Sequence, residues 1–172
     1  MKRTFEKLRG LARTEIGGTI AELAILLPIL IVMLAVVAEV GLFFQRYTTL
    51  SKATRSAARY LSNHQYNADE RAKAKSLVVC GKLACGQNDP PLVKNLAMNN
   101  VCITTTLTGV GTVETVTVSI PRAASMACDA DETAVNLPYT PVFDIGALLD
   151  DPDLSMAFPM PPSTTMRYIP AD

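Results

Sequence analysis

The sequence of 172 residues has no tryptophan and a single histidine, His64. It also lacks a G-x-S-x-G elbow, a Walker-type phosphate loop and an H-E-x-x-H pair. Those absences remove the familiar signatures of serine hydrolases, phosphate-loop enzymes and zinc peptidases. His64 lies in SNHQYN, a polar context that reads as loop and not as catalyst. An excess of either charge is missing too: 16 basic side chains balance 16 acidic ones. Nucleic-acid binding wants a basic face on the folded part, so that partner class is excluded. We expect no enzyme, no cofactor and no catalytic or metal site. The run Asp150, Asp151 and Asp153 could hold a cation, but beside Pro152 it reads more simply as a solvated turn.

What charge there is lies unevenly. Residues 1–17 carry Lys2, Arg3, Lys7, Arg9 and Arg13 against Glu6 and Glu15, a net +3, which leaves −3 for the rest. Directly after this basic segment, Leu23–Ala38 contains no charged residue, and apolar character resumes from Val40 to Phe44. As a helix, residues 18–44 span about 40 Å, enough for a bilayer core of about 30 Å. A removed signal peptide would have a shorter apolar region and an A-x-A cleavage site. Neither is present, so the helix is expected to stay. The basic flank predicts a cytoplasmic N-terminus and an exported C-terminal part.

Beyond Phe44 the pattern turns amphipathic. Tyr47, Leu50, Thr54, Ala57, Ala58 and Leu61 share one face, while Lys52, Arg55 and Arg59 share another. The simplest reading is one helix over residues 18–62, half in the membrane and half a stalk, with a kink at Pro28, its internal breaker. A second helix is expected over ADERAKAKSLVV, ending at Cys80 and Gly81. Then period-two alternation predicts strands in VCITTTL and VETVTVSI, joined by a hairpin loop at residues 109–112. After Pro121 the signal weakens, and Pro138, Pro141, Pro152, Pro159, Pro161 and Pro162 break the tail into short pieces that could serve as edge strands. The predicted class is α+β: a long transmembrane and stalk helix, then a small antiparallel head over residues 63–172.

All four cysteines, Cys80, Cys85, Cys102 and Cys128, lie beyond the apolar run. In an oxidising compartment an even count predicts two disulfides, with three connectivities open. Cys80 and Cys85 could close a small loop, and Cys102 and Cys128 could staple a strand to a later loop. Zinc is disfavoured because CGKLAC lacks a C-x-x-C pair and His64 is far away in sequence.

Two carboxylates interrupt this picture. A charged acid near a bilayer centre costs about 2.5–3.5 kcal/mol on insertion scales. Glu39 lies near the far end of the span and is expected to reach the headgroup layer. Glu22 has no such account. It stands at the mouth of sixteen uncharged residues, preceded by Gly17 and Gly18.

A basic leader ending in glycine, followed by a helix with glutamate at its fifth position, resembles a class of prepilin. The segment from Gly17 to Tyr60 is similar to the start of the TadE-like minor pilins, or pseudopilins, of the tight-adherence (Flp) pilus system. The likeness is carried by the Gly-x-x-x-x-Glu spacing, the LLP of Leu26–Pro28, the acid before glycine in Glu39–Gly41, and Ala57–Arg59. YTPVF and STTMRY in the tail resemble the family's C-terminal end more loosely. The resemblance implies a structural subunit. A prepilin peptidase would cut between Gly17 and Gly18 and remove residues 1–17. Glu22 would then pair with the freed amine of Gly18 on a neighbouring subunit during pilus assembly. Its partners would be the other minor pilins and the major Flp pilin, first in the inner membrane and then at the pilus tip. Two rival readings are an unprocessed, single-pass periplasmic interaction module and a membrane-anchored surface enzyme.

Overall fold

The computed structural model describes residues 15–86, 88–109, 112–123, 125–129, 132–144, 146–147, 150–151, 153 and 155–169. Most of the expected leader, residues 1–14, therefore lies outside the described residues, as do Val110 and Gly111 of the hairpin loop. The first element is a continuous helix, α1, Glu15–Ser62, which runs through Pro28 without ending there. Two compact units divide the chain at the Gly41/Leu42 peptide.

In the first unit, α1 presents large apolar side chains outward on all sides: Ile25, Leu30, Met33, Leu34 and Val37 are each more than half exposed. A helix that is apolar all round and uncovered by protein has no aqueous solution that would favour it.

The second unit starts at Leu42, inside the helix. The reason is burial. Leu50, Ala53, Thr54, Ala57, Ala58 and Leu61 recur at three- and four-residue steps, and each is at most 6 % exposed. All but the buried polar Thr54 belong to the hydrophobic core of the folded unit. Three of the six are alanines, small side chains buried in the seam. Across from them lies the inner face of a three-stranded antiparallel sheet, β1 (Cys102–Leu107), β2 (Val113–Ser119) and β5 (Ser163–Arg167), in the order β1-β2-β5. The register sets Ile103 opposite Val118, which faces Thr164, and sets Val116 opposite Met166. Thr54 of α1 reaches the inner-facing Thr164 at 3.3 Å between hydroxyls. Fully burying a side chain of the size of Val, Ile or Leu is worth about 1.5–3 kcal/mol, so this seam holds much of the unit's stability.

Because side chains alternate, the other face of the sheet is a hydroxyl array. Thr106 bonds Thr115 across β1 and β2 at 2.6 Å, and Thr117 bonds Thr165 across β2 and β5 at 2.8 Å. The alternation expected to bury Leu107 fails at the strand end: the register shifts between Thr106 and Leu107, and Leu107 is 61 % exposed.

Helix α2, Ala68–Cys80, begins at Asn67, whose side chain accepts from the Glu70 N–H, and ends at Gly81. Gly81 adopts φ +74°, the left-handed conformation that closes a helix and that a Cβ disfavours. Ala74, Val78 and Val79 of α2 join the core. A short 3-10 turn, Met98–Asn100, precedes β1, and a two-residue pair, β3 (Met126–Ala127) with β4 (Thr133–Ala134), follows β2. The proline-rich tail is more ordered than its composition suggests. Leu137, Tyr139 and Met160 are buried in the core, and Pro138 bridges Pro159.

Candidate functional site

The apolar half of α1 brings Gly17, Gly18 and Glu22 onto a single helix, one turn apart. Gly18 and Glu22 are both exposed, and space around Gly18 is open. The most apolar eighteen-residue stretch of the helix has a mean hydropathy of 2.9, and none of it is buried. One carboxylate thus stands uncovered at the start of a membrane-length apolar helix.

Glu39 behaves differently from the expectation that it would reach the headgroup layer: it is only 3 % exposed and counts among the buried residues. Carboxylates seventeen residues apart lie about 100° apart around a helix, so the two acids do not share one site.

The cysteines pair as Cys80–Cys85, with 6.0 Å between Cα atoms, and Cys102–Cys128, with 5.5 Å. The first ties the end of α2 to the loop that follows. The second ties the start of β1 to the segment after β3. Beside it, Asp129 accepts from the Thr105 hydroxyl at 2.6 Å and from the Tyr66 phenol at 2.7 Å. Burial, and then the bond to Asp129, raise the Tyr66 phenol well above the usual tyrosine range. This network fixes the segment carrying Cys128.

His64 stacks on Tyr60 with ring centroids 4.0 Å apart and meets the Tyr60 carbonyl through Nδ1 at 2.7 Å. Tyr60 donates to Glu70, which also pairs with Lys73 at 2.8 Å. The hydrogen bond from Lys73, and then that from Tyr60, hold the Glu70 carboxyl below its usual range. The contacts are those of a helix-terminus clamp and bring no nucleophile to the imidazole. Asp150 and Asp151 line a shallow hollow of about 320 Å³ with Asp144 and Ser155. Asp144 is already occupied by the Gly146 N–H at 3.0 Å and the Ser155 hydroxyl at 2.9 Å, and Asp151 accepts from the Asp153 N–H at 3.0 Å. Among the described residues, no three His, Cys, Asp or Glu side chains gather as metal ligands would.

One cluster had no sequence signal. Where α1 leaves its apolar run, Phe43 meets Tyr139 edge-on at 5.4 Å. Arg46 lies over the Tyr139 ring at 4.8 Å and donates to the Thr140 carbonyl at 2.9 Å. The residues involved are more than ninety positions apart, and YTPVF alone gave no hint of the pairing.

Among the described residues, one membrane-length helix leads into a disulfide-bearing α+β unit, the architecture of a membrane-anchored protein. Within that class, the family model of the TadE-like proteins matches residues 17–59, which makes this quarter of the chain TadE-like and associates the protein with the Tad pilus. That family is a structural one, related to pili. No curated protein and no solved structure matches the chain.

Proposed function

We propose that the chain is a minor pilin, or pseudopilin, of a Tad (Flp) pilus. In this reading a prepilin peptidase cuts between Gly17 and Gly18, the apolar half of α1 stays in the inner membrane, and the disulfide-bearing unit faces the periplasm. The subunit then enters the pilus with the other minor pilins and the major pilin, as an initiating or tip component. The observation that carries this reading is the TadE-like match that begins at Gly17, with Glu22 five residues along and exposed. The new ammonium of Gly18 on one subunit would meet the Glu22 carboxylate of the next. In an apolar bundle such a pair offsets part of its desolvation and serves chiefly to fix register.

Intact mass and N-terminal sequencing of the protein from cells that hold the peptidase test the cut. We expect a chain beginning at Gly18, and Gly17→Leu should block that shift. A native protein still starting at Met1 would defeat the reading and favour an unprocessed anchor. Glu22→Ala should be inserted and cleaved normally yet lose crosslinks to partner pilins, because a neighbour's ammonium is left unpaired. Normal crosslinking by Glu22→Ala would remove Glu22 from assembly while leaving the processing result untouched.

A further inference from the structure

The basic face of α1 is not absorbed by the fold. Lys52, Arg55 and Arg59 are exposed, and among the described residues none of them forms an ion pair. Arg55 and Arg59 stand one helical turn apart, about 6 Å along the axis. With Ser56 of the same helix and Met166 of β5 they line one hollow of about 420 Å³.

Beside that hollow runs the free edge of the sheet. β5 is the outermost strand on that side and pairs with β2 alone. The Tyr168 N–H bonds the Glu114 carbonyl at 2.8 Å, and the Ile120 N–H bonds the Pro162 carbonyl at 3.0 Å. Bonding residues alternate along an antiparallel strand, so Thr164 and Met166 also bond toward β2. Ser163, Thr165 and Arg167 turn their N–H and C=O groups away from it. No described residue bonds those three amides. α1 runs alongside in the same direction: Thr54 meets Thr164, and the Ser62 carbonyl accepts from the Ile169 N–H. The opposite edge differs. β1 is held to the segment after β3 by Cys102–Cys128 and by the bond from Thr105 to Asp129. An open row of backbone groups is a template for another strand, and the side chains beside it decide which strand.

We propose that β5 and this hollow receive an extended segment of another protein, which adds as a further strand and carries carboxylates at alternate positions. Alternate residues of a strand share one face and lie about 6.6 Å apart, close to the spacing of Arg55 and Arg59. The main chain of the segment bonds the outward groups of Ser163, Thr165 and Arg167. Two acids on its inner face reach the guanidinium groups, whose forked donors suit carboxylates. Charge rejects a second copy pairing edge to edge, since that sets Arg55 and Arg59 of both copies on the same side of one sheet. Every residue involved belongs to the folded unit, so the docking does not depend on a cut at Gly17.

The probe is the blocked peptide Thr-Glu-Val-Glu-Val-Glu-Thr, with Thr-Gln-Val-Gln-Val-Gln-Thr as control. Isotope-labelled full-length protein in neutral detergent micelles is titrated with each to millimolar concentration, and amide exchange with solvent is read residue by residue by NMR. We expect the glutamate peptide to slow exchange at Thr165 and Arg167, about twofold when half the sites are filled. Thr164 and Met166, which face β2, should not change. Arg55→Gln/Arg59→Gln alters two exposed side chains, so Tm should hold while the slowing disappears. Equal slowing by the glutamine peptide, or undiminished slowing in the arginine variant, would overturn the acidic occupant. Shifts at the arginines without slowing on β5 would reduce the hollow to an anion site and overturn strand addition. No response at millimolar glutamate peptide overturns the proposal outright. Edge amides already slow in the protein alone, and quickened by dilution, would give the edge to a second copy and overturn it as well.

Discussion

Removing the two disulfides separately should produce unequal losses, and the sequence separations fix the expected difference. The Cys80–Cys85 bridge closes a loop with a separation of 5 residues, and Cys102–Cys128 one of 26. In the chain-entropy account, a cross-link stabilises by restricting the unfolded chain, by about 2 kcal/mol for the short loop and about 3.5 kcal/mol for the long one at 25 °C. Each double alanine variant removes two sulfur atoms, so packing losses are similar and the contrast of about 1.5 kcal/mol isolates loop length. For a folded unit of roughly 130 residues, 1 kcal/mol corresponds to about 3–4 °C in Tm, giving drops of about 7 °C and about 12 °C.

The long-loop variant should still reach the native fold. Asp129 remains held by Thr105 and Tyr66, and the Cys128 N–H still bonds the Glu132 carbonyl at 2.8 Å. The assay is thermal unfolding in detergent, followed by near-ultraviolet circular dichroism. All five tyrosines lie beyond residue 42, so the signal reports the packed unit and not a helix held by the micelle. Non-reducing peptide mapping of the wild type fixes the connectivity first. If Cys80→Ala/Cys85→Ala costs as much as Cys102→Ala/Cys128→Ala or more, loop closure does not govern the loss and the reasoning fails.

Two further outcomes test the packing and the charge clamp. Ala57→Leu places a large side chain where α1 meets the core and no surface is exposed, so it should cost about 1–3 kcal/mol and lower Tm accordingly, while Arg55→Ala on the exposed face should leave Tm nearly unchanged. The folded state lowers the Glu70 pKa from 4.5, chiefly through Lys73 and then Tyr60. A depressed carboxyl stabilises fully above its unfolded pKa and loses that contribution as pH falls through the folded value, so the Tm of Glu70→Gln should decline less than that of the wild type between neutral pH and acid. Parallel Tm curves for the two proteins across that window would show that the clamp adds nothing.

How far the fold can be read from sequence depends on how local each signal is. The apolar run, the amphipathic half of α1, the ends of α2 and the β1–β2 hairpin all rest on spacings within a dozen residues, and each is present where expected. The end of α2 at Gly81 is legible for the same reason. β5 is not. Ser163–Arg167 follows Pro161 and Pro162 and is mostly polar; the sequence offers edge strands for the tail without saying which piece, and this one pairs because β2, more than forty residues earlier, offers an open edge. The same holds for Tyr139 and Met160, whose burial depends on partners that no periodicity reveals. Residues 42–62 read as a stalk because an amphipathic face announces that it needs a partner without saying which. The partner is the chain's own sheet.

The two carboxylates of α1 show the same limit at the candidate site. Sequence places both in an apolar helix and assigns each a cost, but it cannot say which one is covered. Glu39, the residue expected to escape to the interface, is enclosed by its own chain, so its carboxylate is committed within the subunit. Glu22 is exposed, and within a membrane a cation on a neighbouring chain would offset its desolvation. An acid satisfied inside the subunit contributes to that subunit's fold. An acid left uncovered at the mouth of the helix has a reason to associate, and a neighbour's new N-terminal ammonium is a cation that a cut at Gly17 would supply at that depth. The asymmetry in burial agrees with the choice of Glu22 over Glu39 as the proposed assembly residue.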